Sequence, residues 1–177
     1  MPEDFLPFLD KLDPERRFHG YLPAGPVELS GGRTSWWGHE SPAGPGQRLA
    51  PVAAWLDGLP FPAGRTVLGG WSQGASTAYS LALAAGRPRP AALLALGGWL
   101  PDEPPLDLSP PLAPVLIGHG TADESVPVAA ARSARDRLLA AGAEVVYRET
   151  PVAHEIGAEV VPSLQAFLAE AAARIVS

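Results

Sequence analysis

Apolar positions recur along the chain with two periods. Phe5, Phe8, Leu9 and Leu12 fall at i, i+3, i+4 and i+7, one face of a helix. Glu3 and Asp4 before them suit a helix N-terminus. A short helix over Pro2–Leu12 is predicted, ended by Asp13-Pro14. Arg17–Leu22 reads as a strand stopped by Pro23, and Pro23–Gly46, rich in Gly, Pro and Ser, as a long loop carrying Trp36-Trp37. Loops of that length inside a compact domain are often functional. Gln47–Leu56 is a helix candidate whose start is blurred by Pro51. From residue 65 the pattern changes. Arg65–Trp71, Ala91–Leu96 and Val115–Gly118 are short, nearly continuous apolar runs, as expected of strands covered on both faces. Glu144–Glu149 alternates around Val145 and Tyr147, the signature of an edge strand. Between them lie helical stretches at Ala75–Ala85, closed by Gly86, and Val128–Ala141, closed by Gly142. Pro162 opens a last helix with Leu164, Phe167, Leu168 and Ala171 as its buried stripe. Strand and helix in alternation predict an α/β fold in one domain spanning 1–177, a mainly parallel sheet flanked by helices.

One junction in this pattern carries chemistry. The strand Arg65–Trp71 runs through Gly70-Trp71-Ser72-Gln73-Gly74 into the Ala-rich helix. Gly-x-Ser-x-Gly alone arises by chance in Gly-rich chains. Between a strand and a helix it is the pattern of a nucleophile elbow. The chain must reverse within very few residues to lift the hydroxyl off the sheet, and Gly70, Gly74 and Ala75 leave room for strand and helix to approach.

A serine hydroxyl needs a base, usually His, and an acid to orient that base. His19, His39, His119 and His154 are available. Active groups of a parallel sheet collect at the carboxyl ends of its strands. Asp123 follows the Val115–Gly118 strand by a short turn, and His154 follows Glu144–Glu149 in the same way. The order Ser72, Asp123, His154 is that of α/β-hydrolases. Asp123 also suits a turn or N-cap before Val128, Glu124 is a rival acid, His154 suits a solvated loop, and His119 suits a structural place in the turn presenting Asp123.

Composition narrows the field. The 177 residues are 46% hydrophobic and 18% charged, enough for a sizeable core. A net charge of −6 argues against nucleic-acid partners. No apolar run approaches a membrane span, and Met1-Pro2-Glu3-Asp4 offers no signal-peptide n-region. With no cysteine there is no disulfide, thiol nucleophile or thiolate-bound metal. Cytoplasmic residence is the expectation. The histidines lack zinc-site spacing, so no metal is predicted.

Gly69-Gly70-Trp71-Ser72-Gln73-Gly74, His119-Gly120-Thr121-Ala122-Asp123-Glu124-Ser125-Val126-Pro127 and the His154 turn resemble the acyl-protein thioesterase/carboxylesterase group, the phospholipase/carboxylesterase family of α/β-hydrolases. Pro23 with its Gly-rich loop, Trp36-Trp37 and Trp99-Leu100-Pro101 add to the likeness, which runs from about residue 3 onward. The resemblance implies a serine hydrolase of small carboxylic esters or thioesters that needs no cofactor. It implies Ser72 as nucleophile, His154 as general base and acid, Asp123 as its orienting carboxylate, and the Gln73 backbone N–H as an oxyanion donor. Trp36, Trp37, Trp99 and Leu100 become candidates for an apolar acyl pocket, though each also suits ordinary packing. One departure stands out. Members of the family begin with an apolar strand ending in His-Gly-x-Gly, which supplies a second oxyanion donor, and no such motif precedes Phe5. In the family that strand lies between the counterparts of Arg17–Leu22 and Arg65–Trp71. A start codon assigned too late and a shortened fold are the two readings. The second predicts a gapped or closed-up sheet, weakened or absent catalysis with ligand or partner binding in the same cleft, and association of copies through unpaired strand edges.

Overall fold

The structure, a computed structural model, describes residues 5–32, 34–37 and 45–176, without the side chains of 45–48. His39 lies outside the described residues. The first helix, α1, spans Leu6–Leu12, and residues 1–4 of its predicted range lie outside the description. The long loop holds a small antiparallel hairpin, β1 (Val27–Glu28) with β2 (Thr34–Ser35). Helix α2 spans Pro45–Asp57 and continues through Pro51. It starts two residues before the predicted Gln47, at a proline, which is well tolerated where no intrahelical acceptor exists.

The apolar runs from residue 67 onward pair into one parallel sheet. Its strands are β3 (Val67–Trp71), β4 (Ala92–Leu96), β5 (Val115–Gly120) and β6 (Val145–Thr150), in that spatial order among the described residues. Helix α3 (Gln73–Ala82) joins β3 to β4, α4 (Val128–Ala140) joins β5 to β6, and α5 (Val161–Val176) follows β6. Registers run Trp71↔Leu96, Leu96↔Gly118 and Gly120↔Thr150, so the carboxyl ends of all four strands meet at one edge.

The period of two in the strands sorts side chains between two cores. Leu93 and Ala95 of β4 and Val115 and Ile117 of β5 pack with Tyr79 of α3 and Leu138 of α4. Ala92, Leu94, Leu96 and Leu116 pack on the other face with Leu12 of α1 and Leu164, Phe167, Leu168 and Ala171 of α5. The four α5 residues are those the sequence pattern selects. Apolar cover on both faces explains the unbroken apolar sequence of β4, all five residues of which are buried.

Two expectations need correction. Arg17–Leu22 is not a strand. The Asp13 carboxylate accepts hydrogen bonds from Arg17 Nε at 2.9 Å and from the Phe18 backbone N–H at 2.8 Å, removing a donor that a ladder would need. Phe18 packs into the α1–α5 core and Gly20 sits against Leu9, so the segment folds back on α1. Helix α3 ends at Ala82, three residues before the predicted Ala85. The Leu83 carbonyl accepts the Asp107 N–H at 2.7 Å, Arg89 donates to the Ala82 carbonyl at 3.0 Å, and Ala84 bridges to Leu106. A distant loop thus takes over the helix end, and Gly86 turns the chain at φ 73°.

Strand β6 is an edge, as its alternation indicates, and carries a charged cluster. Arg132 grips Glu149 through two contacts of 2.8 Å, and the Tyr147 hydroxyl donates to the same carboxylate at 2.7 Å. Arg132 first, then Tyr147, hold the Glu149 carboxyl at about 2 against an ordinary 4.5. A carboxyl depressed in the folded state stabilises fully above its unfolded value, and that stabilisation fades as pH falls from 4.5 towards 2. Both partners are partly exposed, so solvent screening keeps the contribution small. Glu149→Gln is expected to lower the melting temperature by about 1–2 °C at pH 7 and to leave it unchanged near pH 2, as scanning calorimetry would read.

Candidate active site

Ser72 occupies the single residue between β3 and α3. Its backbone has φ 57° and ψ −122°, a region that residues with a Cβ avoid and that costs about 1–3 kcal/mol. The surrounding structure holds it there. The Ser72 N–H donates to the Leu96 carbonyl at 2.8 Å, continuing the ladder one residue past the strands. A Cβ on Gly70 would overlap the Gly74 carbonyl, and one on Gly98 would lie 2.7 Å from the Ser72 carbonyl oxygen. Strand, helix and the loop after β4 therefore close on the serine backbone to backbone.

The other two predicted residues are brought to the same edge. Ladder pairing between β5 and β6 runs on into the loops beyond them. Thr121 N–H donates to Thr150 O at 2.8 Å and Ala122 N–H to Val152 O at 3.0 Å. A Cβ on Gly120 would overlap the carbonyls of Val152 and Ala153, so the absence of one lets the two loops touch. Asp123 and His154 face each other across that contact. His154 Nδ1 lies 2.7 Å from Asp123 Oδ2, and His154 Nε2 lies 2.8 Å from Ser72 Oγ. A carboxylate only accepts, so Nδ1 carries the proton and the bare Nε2 accepts from the Ser72 hydroxyl. The neighbouring Glu124 is exposed, and so is His19.

The Asp123 side chain is 1% exposed, whereas that of His154 is 21% exposed. The acid is thus desolvated while the imidazole reaches the open side. Burial pushes the Asp123 carboxyl up. Hydrogen bonds from His154 and from the backbone N–H groups of Val126 (2.8 Å) and Ser125 (2.9 Å) outweigh it and hold the carboxyl below its ordinary value. His119, the penultimate residue of β5, is buried behind Asp123. Its Nε2 lies 2.8 Å from the Val126 carbonyl, so it is the protonated nitrogen, and 3.4 Å from Asp123 Oδ2.

Residues 50–172 match the sequence model of the phospholipase/carboxylesterase family. The chain belongs to that family. No curated protein matches it. Among solved structures, a carboxylesterase from Mesorhizobium loti is similar at 21% identity and a TM-score of 0.78, over 95% of this chain and 82% of that one. The Bacillus cereus carboxylesterase is similar at 19% identity and 0.76, over 96% and 82%. Zea mays acyl-protein thioesterase 2 is similar at 24% identity and 0.61, over 85% and 78%. At these identities the likeness carries the fold, that of an α/β-hydrolase.

Within this family member the four pocket candidates divide. Trp99 and Leu100 line a cleft of about 470 Å³ with Asp102, Ser125, Val126 and Arg137. Trp36 and Trp37 pack against Leu49 and Val52 of α2 and Leu81 of α3. Pattern reading also left a role of Gln73 unseen. Its side-chain Oε1 accepts from Ser35 Oγ and from the Trp36 N–H, both at 2.8 Å, and its Nε2 donates to the Trp37 carbonyl at 3.2 Å. One amide thus fastens a segment 36–38 positions away to the start of α3. The signal available was a long polar side chain at the first turn of an otherwise small-residue helix. Among the described residues no cluster of His, Asp and Glu could hold a metal ion, and no helix is long and apolar enough to cross a membrane.

Proposed function

We propose that the protein is a serine esterase acting on small carboxylic esters or thioesters, with Ser72 as nucleophile, His154 as base and acid, and Asp123 as the carboxylate that orients it. One observation carries this reading: a continuous hydrogen-bonded line from Asp123 through His154 to a serine held at positive φ between strand and helix. His154 Nε2 takes the hydroxyl proton as Ser72 Oγ attacks the carbonyl carbon. The resulting imidazolium lies against the Asp123 carboxylate, whose depressed protonation keeps it charged. Negative charge developing on the substrate oxygen meets the N–H of Gln73, the first residue of α3, which has no intrahelical acceptor. Collapse of the tetrahedral intermediate expels the alcohol or thiol, which receives the proton from His154. Water then attacks the acyl-Ser72 ester by the same route, returning the hydroxyl and releasing the acid. Trp99 and Leu100 are the candidates for contact with the acyl part of the substrate; the cleft they line is not itself lined by Ser72, Asp123 or His154. The absence of cysteine accords with a reducing compartment, the cytoplasm.

A fluorophosphonate probe is expected to label the folded protein at one residue, Ser72, and to lose labelling in Ser72→Ala, as peptide mass spectrometry would read. The reading fails if the folded protein stays unlabelled. A protein that only binds ligands in this cleft would show no turnover of p-nitrophenyl acetate sensitive to Ser72→Ala.

A further inference from the structure

Trp71, the residue before the serine, has no part in the scheme above, yet it is the ring that faces the base. Its centroid lies 4.7 Å from that of His154, with the planes inclined by 34°. Phe5, at the start of α1, packs against the indole at 6.0 Å. The loop after β4 closes the remaining side. Gly97 is held at φ 57°, and a Cβ there would lie 3.2 Å from Trp71 Nε1 and 3.8 Å from His154 Cε1. The arrangement has a cost, because Trp71 Nε1 is buried without a hydrogen-bond partner among the described residues. An unpaired buried donor disfavours the folded state. Phenylalanine would fill much of the same space without an orphaned N–H. What the indole adds is a broader, electron-rich face against an imidazole.

We propose that Trp71 is a positioning residue for the reaction, fixing the plane of the His154 ring and stabilising the imidazolium formed when His154 takes the Ser72 proton. The inference rests on the serine-esterase reading. His154 is surrounded on distinct sides: Asp123 at Nδ1, Ser72 at Nε2, and the Trp71 ring against a face. Glu155, next in the chain, is exposed, and His119 stands behind Asp123. The two edge contacts fix where the nitrogens point but leave the ring free to rock about the line joining them. A packed aromatic face removes that freedom. Its negative quadrupole also favours a cation over a neutral ring. That preference acts in the transition state, when the charge exists, and so belongs in kcat and not in KM.

The test combines kinetics with a readout of the contact itself. With p-nitrophenyl acetate, Trp71→Leu is expected to lower kcat about tenfold with KM within about twofold. Trp71→Phe, which keeps a smaller face, is expected to lose about threefold while melting no lower than the wild type, since the orphaned N–H is gone. In proton NMR spectra assigned with His154→Gln, the His154 ring resonances are expected upfield in the wild type and displaced downfield in Trp71→Leu. Should Trp71→Leu not fold, Trp71→Phe carries the kinetic test. The role is overturned if a folded variant keeps kcat within twofold of the wild type, if the loss falls on KM alone, or if the His154 resonances do not move. A folded wild type that neither hydrolyses the ester nor takes the fluorophosphonate overturns the esterase reading, and this role with it. Labelling of Ser72 with unaffected Trp71 variants overturns this role alone.

Discussion

Asp123→Asn is expected to lower kcat for ester hydrolysis by about 10⁴-fold while leaving the fold in place. The reason is the number of donors that converge on this carboxylate. Oδ1 accepts from the N–H groups of Ser125 and Val126, and Oδ2 accepts from His154 Nδ1. Asparagine keeps one oxygen. Placed at Oδ1, that oxygen satisfies both backbone donors and turns the amide NH₂ towards His154. The NH₂ then donates to Nδ1, forcing the proton onto Nε2, where it confronts the Ser72 hydroxyl instead of accepting from it. The opposite rotamer would set the NH₂ against two backbone N–H groups. The stable arrangement is therefore the one with the wrong histidine tautomer. Steady-state kinetics beside a denaturation curve would check both halves of the expectation. A variant retaining wild-type kcat would remove Asp123 from the mechanism.

Gly70→Ala is expected to cost more than about 4 kcal/mol, a large fraction of the stability of an ordinary domain. The added methyl would overlap the carbonyl of Gly74, close to the backbone nitrogen of Ala75. These are main-chain atoms of α3, so no rotamer change relieves the overlap, and β3 and α3 must separate. Gly64→Ala is the matched control. A Cβ there meets open space, and the expected change lies within about 0.5 kcal/mol. Urea titrations of the two variants would separate a general effect of losing glycine from the close approach at the elbow.

The elements that pattern reading found are those whose apolar residues serve one purpose. Strands β4 and β5 are covered on both faces and read as unbroken apolar runs, and α5 has one buried stripe. The order Ser72, Asp123, His154 was legible because Ser72 directly follows β3, and Asp123 and His154 follow β5 and β6 by short turns. What escaped depends on partners remote in sequence. Arg17–Leu22 has strand-like composition, but the Asp13 carboxylate claims its backbone. The end of α3 is set by Asp107, well beyond the helix itself. The backbone of Trp36 and Trp37 is held by the Gln73 amide, a contact 36–37 positions away in sequence that no local pattern announces. Asp123 and Glu124 are equivalent in sequence, and only the fold makes one buried and the other exposed.

The line from acid to base to nucleophile has a consequence for how the protein comes into being. Asp123 and His154 are 31 positions apart, and His154 and Ser72 are 82 apart. Neither contact can form until β3 to β6 have assembled in order, because each residue is presented by the end of a different strand. During synthesis, and in any partly opened form, the Ser72 hydroxyl lacks its contact with the His154 imidazole. On the proposed reading, reactivity of Ser72 towards an electrophile is then a measure of completed folding.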